Sequence, residues 1–254
     1  MKRIPIGKLL LSALFIVILA APSVADNNTI PIPSIRLDIG QAQGADEVVS
    51  TLKLVLLLTI LSLAPSILIL TTAFTRIIIV LSLLRNAIGT QQVPPNQVLI
   101  GIALFLTFFV MAPVLNNINT NAIEPYINEQ ITFNEATQRA LTPLREYLQK
   151  QTRESDLKLF LEMYGEATVD NMAEVPDYVL MPAYLISELK TAFQMGFILY
   201  IPFIVIDMVV ASILMSMGML MLPPVMISLP FKILLFVMVD GWSIVTRSLV
   251  LSFR

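Results

Sequence analysis

The sequence predicts an all-α protein: membrane-inserted helices forming kinked helical hairpins, with a small helical insert between them. Three observations predict it. Of the 254 residues, 56% are hydrophobic and only 13% charged, about half the charge of an ordinary soluble domain. Mean hydropathy is +0.81, and the apolar residues fall in long stretches that a soluble globule of this size could not hide. Finally, the chain holds no cysteine and no histidine. That excludes His- or Cys-based catalytic triads, zinc sites with imidazole or thiolate ligands, and disulfides. No catalytic, cofactor or metal site is expected.

The elements follow in order. Residues 1–25 read as a cleaved signal peptide: Lys2, Arg3 and Lys8 open it, Leu9 to Ala21 is apolar, and Ser23-Val24-Ala25 supplies small residues for cleavage. Removing it would take the net charge from −2 to −5, since three bases are lost. Residues 26–50 read as a flexible leader rich in Asn, Pro and Gly. Residues 51–115 read as an N-terminal hydrophobic hairpin built from Leu52 to Phe74, with Pro65 inside, and Val98 to Leu115, with Pro113 inside.

Residues 116–182 read as an acidic helical insert. Between 116 and 190 lie 12 of the 18 acids against six bases. Helices are expected at Asn134 to Gln151 and Asp156 to Glu166, with Pro176 and Pro182 marking the exit. Residues 183–254 read as a C-terminal hydrophobic hairpin divided by Pro223-Pro224.

Charge sets an expected orientation. With the mature N-terminus outside, the 52–74 segment runs inward to a connection that carries Arg76 and Arg85 and no acid between 75 and 97. The second run then returns outward and puts the insert in the periplasm. A four-span protein of the bacterial inner membrane is the simplest arrangement.

Charges and prolines strain that simple arrangement. Pro202 and Asp207 interrupt the third apolar stretch, while Pro230, Lys232, Asp240 and Arg247 interrupt the fourth. A charge at the bilayer centre costs at least ~2.5–3.5 kcal/mol, so these residues are expected to be buried charges that meet protein. Glu188 and Lys232 are the first candidates for a pair, with Asp207 and Asp240 as alternative partners. Met215, Met217, Met219 and Met221 alternate with Ser216, Gly218 and Leu220 ahead of Pro223-Pro224. Alternation does not make a helical face, so a loop or break is expected there. Flexible methionines suit either a soft apolar plug or the filling of a packing surface.

The segment Phe74-Thr75-Arg76-Ile77-Ile78-Ile79-Val80-Leu81-Ser82-Leu83-Leu84-Arg85-Asn86, continued by Gly89-Thr90-Gln91-Gln92-Val93-Pro94-Pro95-Asn96-Gln97, resembles the signature of the FliP/SctR family of type III export-gate proteins. The stretches Ile201-Pro202-Phe203, Met215-Ser216-Met217-Gly218-Met219, Pro230-Phe231-Lys232 and Val239-Asp240-Gly241-Trp242 are similar to the same family. The resemblance covers roughly residues 50–115 and 176–254.

It implies a helical export-gate oligomer at the flagellar basal body, in which several copies join FliQ-like and FliR-like subunits. FlhB-like and FlhA-like proteins would be further partners, and unfolded flagellar proteins the cargo. It also implies that Met215, Met217, Met219 and Met221 form a pore gasket, and that Glu188 and Lys232 form a salt bridge between subunits. Leu220 between Met219 and Met221 departs mildly from the family's methionine cluster.

Two other functions fit the residues less well. A small-solute or proton transporter would use Asp207 and Asp240 as a relay, but no inverted repeat accompanies them. An intramembrane aspartyl protease would use them as a dyad, but no Gly-x-Gly-Asp motif occurs. Nucleic-acid binding is excluded by the acidic mature chain and its lack of a basic patch.

Overall fold

Helix formation follows the apolar blocks, and most of the prolines within them stay inside helices. A computed structural model describes residues 45–90, 92–165, 175–219 and 221–253. The expected signal peptide and most of the expected leader lie outside the described residues. The chain divides into two units, Met1–Lys53 and Leu54–Arg254. Described residues 45–53 of the first are helical, so helix begins inside the segment expected to be a flexible leader.

The described residues form helices and no strands. They are α1 (Ala45–Leu70), α2 (Phe74–Ile88), α3 (Asn96–Ile118), α4 (Glu124–Ile127), α5 (Phe133–Gln151), α6 (Glu154–Tyr164), α7 (Asp177–Ser216), α8 (Pro224–Met238) and α9 (Gly241–Leu251). A π-helical turn, Asn119–Ile123, joins α3 to α4. The expected two-helix hairpin over 51–115 is therefore three helices. The extra break lies after Leu70, and Gly89 closes α2 at φ +89° with its N–H on the Asn86 carbonyl, a conformation that favours glycine.

α2 carries its apolar residues at helical spacing. Ile77, Val80, Leu81, Leu84, Ala87 and Ile88 are all buried, packed with Leu99 and Ala103 of α3, Ala192 and Phe203 of α7, Phe236 of α8, and Val245 and Leu249 of α9. α2 can approach α7 closely because Gly196 lacks a side chain: a Cβ there would stand 2.2 Å from Leu83 Cδ1. A second apolar cluster joins Met111, Tyr147, Leu148, Leu157, Leu161, Leu180, Ala183 and Tyr184. It fixes the acidic insert to α3 and to the first half of α7.

The two expected insert helices appear as α5 and α6. A capping box opens α5, with Thr132 accepting from Glu135 N–H and the Glu135 carboxylate accepting from Thr132 N–H. That bonding holds the Glu135 carboxyl below its ordinary value. The insert's expected exit moves, however. Pro176 caps α7, but Pro182 lies inside it, so residues 177–182 belong to the long helix.

Among the described residues, three helical segments are long and apolar enough to cross a membrane: Leu52–Leu70, Asn96–Ile127 and Asp177–Ser216. α8 and α9, bent by 65° where they meet, would make a fourth if counted together. At ~1.5 Å per residue, the 40 residues of α7 extend about 60 Å, twice the ~30 Å of a hydrocarbon core. The first half of α7 is accordingly the half that carries the insert.

Candidate functional site

The sequence offers three polar or unusual features within apolar helices, and the structure gathers them in three places. The first is Arg76. It is the only charge between residues 54 and 84, and burying it unpaired would be costly. Its side chain is 2% exposed and all five guanidinium N–H donors find acceptors. Nε donates to Glu188 Oε2 at 2.9 Å and Nη2 to Glu188 Oε1. The second Nη2 hydrogen goes to Gln151 Oε1 at 2.9 Å. Nη1 donates to the Ser252 carbonyl at 2.8 Å and to Ser252 Oγ at 3.0 Å. The guanidinium also stacks over the Phe253 ring, 3.9 Å from its centroid. One side chain thus ties α2 to α7, to the insert and to the chain's last residues.

This geometry departs from the expected arrangement of Arg76 within the chain. Arg76 was placed in a connection on the far side of the membrane from the insert, yet it bonds Gln151 of the insert directly. Arg85, expected in the same connection, is used nine residues later at the other end of α2, where it donates to Asn96 Oδ1 at 2.7 Å.

The insert is bound to α7 by further charges. Asp156, 1% exposed, accepts from Ser187 Oγ at 2.9 Å and from Lys190 Nζ. Burial pushes its carboxyl up, but the bonds from Lys190 and Ser187 and the charges of Lys190 and Arg153 outweigh burial and hold it below its ordinary value. Arg153 donates to Thr191 Oγ1 at 2.9 Å and Gln194 Oε1 at 2.6 Å. Tyr147, packed edge-to-face on Tyr184, has its hydroxyl pushed up, chiefly by burial.

The second place is Lys232, 3% exposed. Its ammonium donates to Asp207 Oδ2 at 2.6 Å and lies 3.4 Å from the Ala87 carbonyl oxygen at the end of α2. Ser228 donates to the other Asp207 oxygen. Within the chain, then, Glu188 and Lys232 do not meet. Arg76 takes Glu188, because a planar guanidinium matches a carboxylate with two bonds, and Lys232 takes Asp207, one of its alternative partners. Asp240, expected to be a buried charge, is exposed. It occupies the break between α8 and α9 at φ +51°. The break is tight, since a Cβ at Gly241 would stand 2.2 Å from the Phe236 ring.

The third place is the tip between α7 and α8. α7 ends at Ser216 and Gly218 turns the chain at φ +76°. Met215, Met217, Met219 and Met221 are 59%, 65%, 44% and 97% exposed. The structure brings all four to one hairpin tip, away from both apolar clusters.

Arg76, Gln151, Ser252 and Phe253 were not singled out as site residues from sequence. The signal for Arg76 was its isolation among apolar residues. Nothing local marks the other three. Among the described residues no group of three or more acids is placed to hold a metal ion, and neither aspartate is positioned as a dyad: Asp207 has both oxygens engaged, while Asp240 is exposed.

Comparison with known proteins bears on these features. A model of the FliP family matches residues 57–249. Flagellar biosynthetic protein FliP of Bacillus subtilis (strain 168) is 55% identical over 217 residues, covering 85% of this chain and 98% of that protein. The protein of the same name from Aquifex aeolicus (strain VF5) is 49% identical over 244 residues, covering 95% and 99%. That of Borreliella burgdorferi is 46% identical over 234 residues, covering 91% of each.

Proposed function

The chain belongs to the FliP family, and from that premise we propose that it is a structural, pore-forming subunit of the flagellar type III export gate. Unfolded flagellar proteins would pass through the assembly it builds. The chain is membrane-embedded and flagellar; the bacterial inner membrane, with periplasmic portions, is its proposed location. FliQ-like and FliR-like chains are its proposed gate partners, with FlhB-like and FlhA-like proteins beside them.

The methionine tip carries this reading. Four long, flexible apolar side chains on one turn are all substantially exposed among the described residues. Copies of such a tip around a common axis make a deformable apolar seal that blocks ions and yields to a polypeptide. The exposed apolar faces of α3 and α7, among them Phe105, Phe109, Phe197 and Ile198, supply surface for sister chains.

The experiment is the mass of the detergent-extracted complex when the chain is expressed with its FliQ-like and FliR-like neighbours. A multimer containing all three is expected. A monomer under those conditions would remove the gate reading and favour a protein that acts alone.

A further inference from the structure

Among the described residues, the methionine tip is flanked by buried positions only at its root. From Met215 to Ile227 every described residue is exposed or half-exposed, and burial resumes only at Leu214 on α7 and Ser228 on α8. Whatever fixes the α7–α8 hairpin at that depth therefore fixes the tip. Two polar contacts cross the hairpin there: Ser228 to Asp207 and Lys232 to Asp207. Among the described residues, Leu214 and Ser228 are the buried positions nearest the tip on its two helices.

Lys232 does more than close the hairpin. Its ammonium reaches past Asp207 to the carbonyl end of α2, 3.4 Å from the Ala87 oxygen. The last carbonyls of a helix lack partners within it and carry partial negative charge, so a cation there is favourable. Gly89 turns the chain away beside it at φ +89°, a conformation that favours glycine, and the position lies close to both Lys232 Nζ and Leu229 Cδ1, 3.9 and 3.5 Å from where a Cβ would stand. One ammonium thus answers two negative ends, the Asp207 carboxylate of the hairpin and the carbonyl terminus of the body helix.

We propose that Lys232 is the positioning residue of the methionine tip, locking the α7–α8 hairpin to the end of α2 so that the four methionines are presented at one height. This rests on the tip being the functional element of the gate, but its test does not. The salt bridge alone would only hold α7 to α8; the contact with α2 is what converts a hairpin into an arm with a fixed angle.

The chain has no native cysteine, so introduced pairs take spin labels uniquely. Labels at Asn86→Cys, exposed at the end of α2, and Met219→Cys, at the tip, report the arm's angle. Labels at Asn86→Cys and Leu159→Cys report the body alone. Full-length labelled chains, diluted among unlabelled ones in the co-expressed complex, give distances within one chain.

The expected result is a narrow tip distance in the parent and in Lys232→Arg, lost in Lys232→Met, with the body distance unchanged in all three. A narrow tip distance in Lys232→Met, or a body distance that broadens with it, would overturn the proposal. Should Lys232→Met fail to accumulate, Lys232→Gln, a shorter and uncharged polar side chain that gives up the ion pair with Asp207, is read the same way. Broadening at the tip supports the proposal, and an unchanged peak overturns it. A lost tip distance with an intact ion barrier would refute the seal and keep the positioning role.

Discussion

The junction around Arg76 and the tip around Gly218 are opposites built from one chain. At the junction a charge sits in an apolar interior with every donor answered, by α5, by α7 and by the chain end. At the tip, apolar side chains stand in the open with nothing answering them. The first region is answered within the single chain; the second is, on the proposed function, the part that sister chains would cover. The contrast separates what holds the fold from what the proposed assembly would use, and Lys232 lies between the two.

Breaking the junction should have the largest effect. Glu188→Ala leaves a buried guanidinium without its carboxylate and should cost about 3–5 kcal/mol. Unfolding in detergent, followed by helical circular dichroism, measures it. Replacing both Arg76 and Glu188 by Met should cost less than Glu188→Ala alone, because no charge is stranded. An equal or larger loss in the double variant would show that the pair itself, not the stranded charge, carries the stability.

Removing residues 252–254 should have the next largest effect. It strips two acceptors and a stacked ring from Arg76, and donors left unmade when buried cost about 1–3 kcal/mol. The same unfolding curve reads it. Unchanged stability would mean that the chain end merely rests against the junction.

A smaller, pH-dependent effect belongs to Asp156. Its carboxyl is held below the ordinary 3.8, so the folded state favours the ionised form. That contribution is complete above 3.8 and is lost as pH falls through the lowered folded value. The stability of Asp156→Asn should therefore fall less steeply than that of the parent in acid, and lie below the parent's at neutral pH. Parallel curves would remove Asp156 from the account of how the insert is held.

The sequence made the tip more legible than the junction. Alternating methionines, a glycine and paired prolines announce a break locally, and the turn at Gly218 is where they place it. The insert helices were legible for the same reason, since periodicity and a capping box act over a few residues. The junction was not, because it depends on residues 76, 151, 188 and 252, drawn from four separate elements. Charge counting assigned Arg76 to one side of a membrane. The structure uses it as a ligand for Glu188, since a solitary guanidinium among apolar residues gains more from a carboxylate than from a topological rule. Asp240, expected to be a buried charge that meets partner protein, is exposed within the single chain beside the tight Gly241 turn.

On the proposed function, the exposed methionines seal an assembly and do not stabilise the chain. The direct measurement is ion leakage across the membrane in cells carrying assembled complexes in which Met215 to Met221 have been deleted. The account predicts an assembled complex of normal mass that conducts small ions. An assembled complex that remains tight would contradict it.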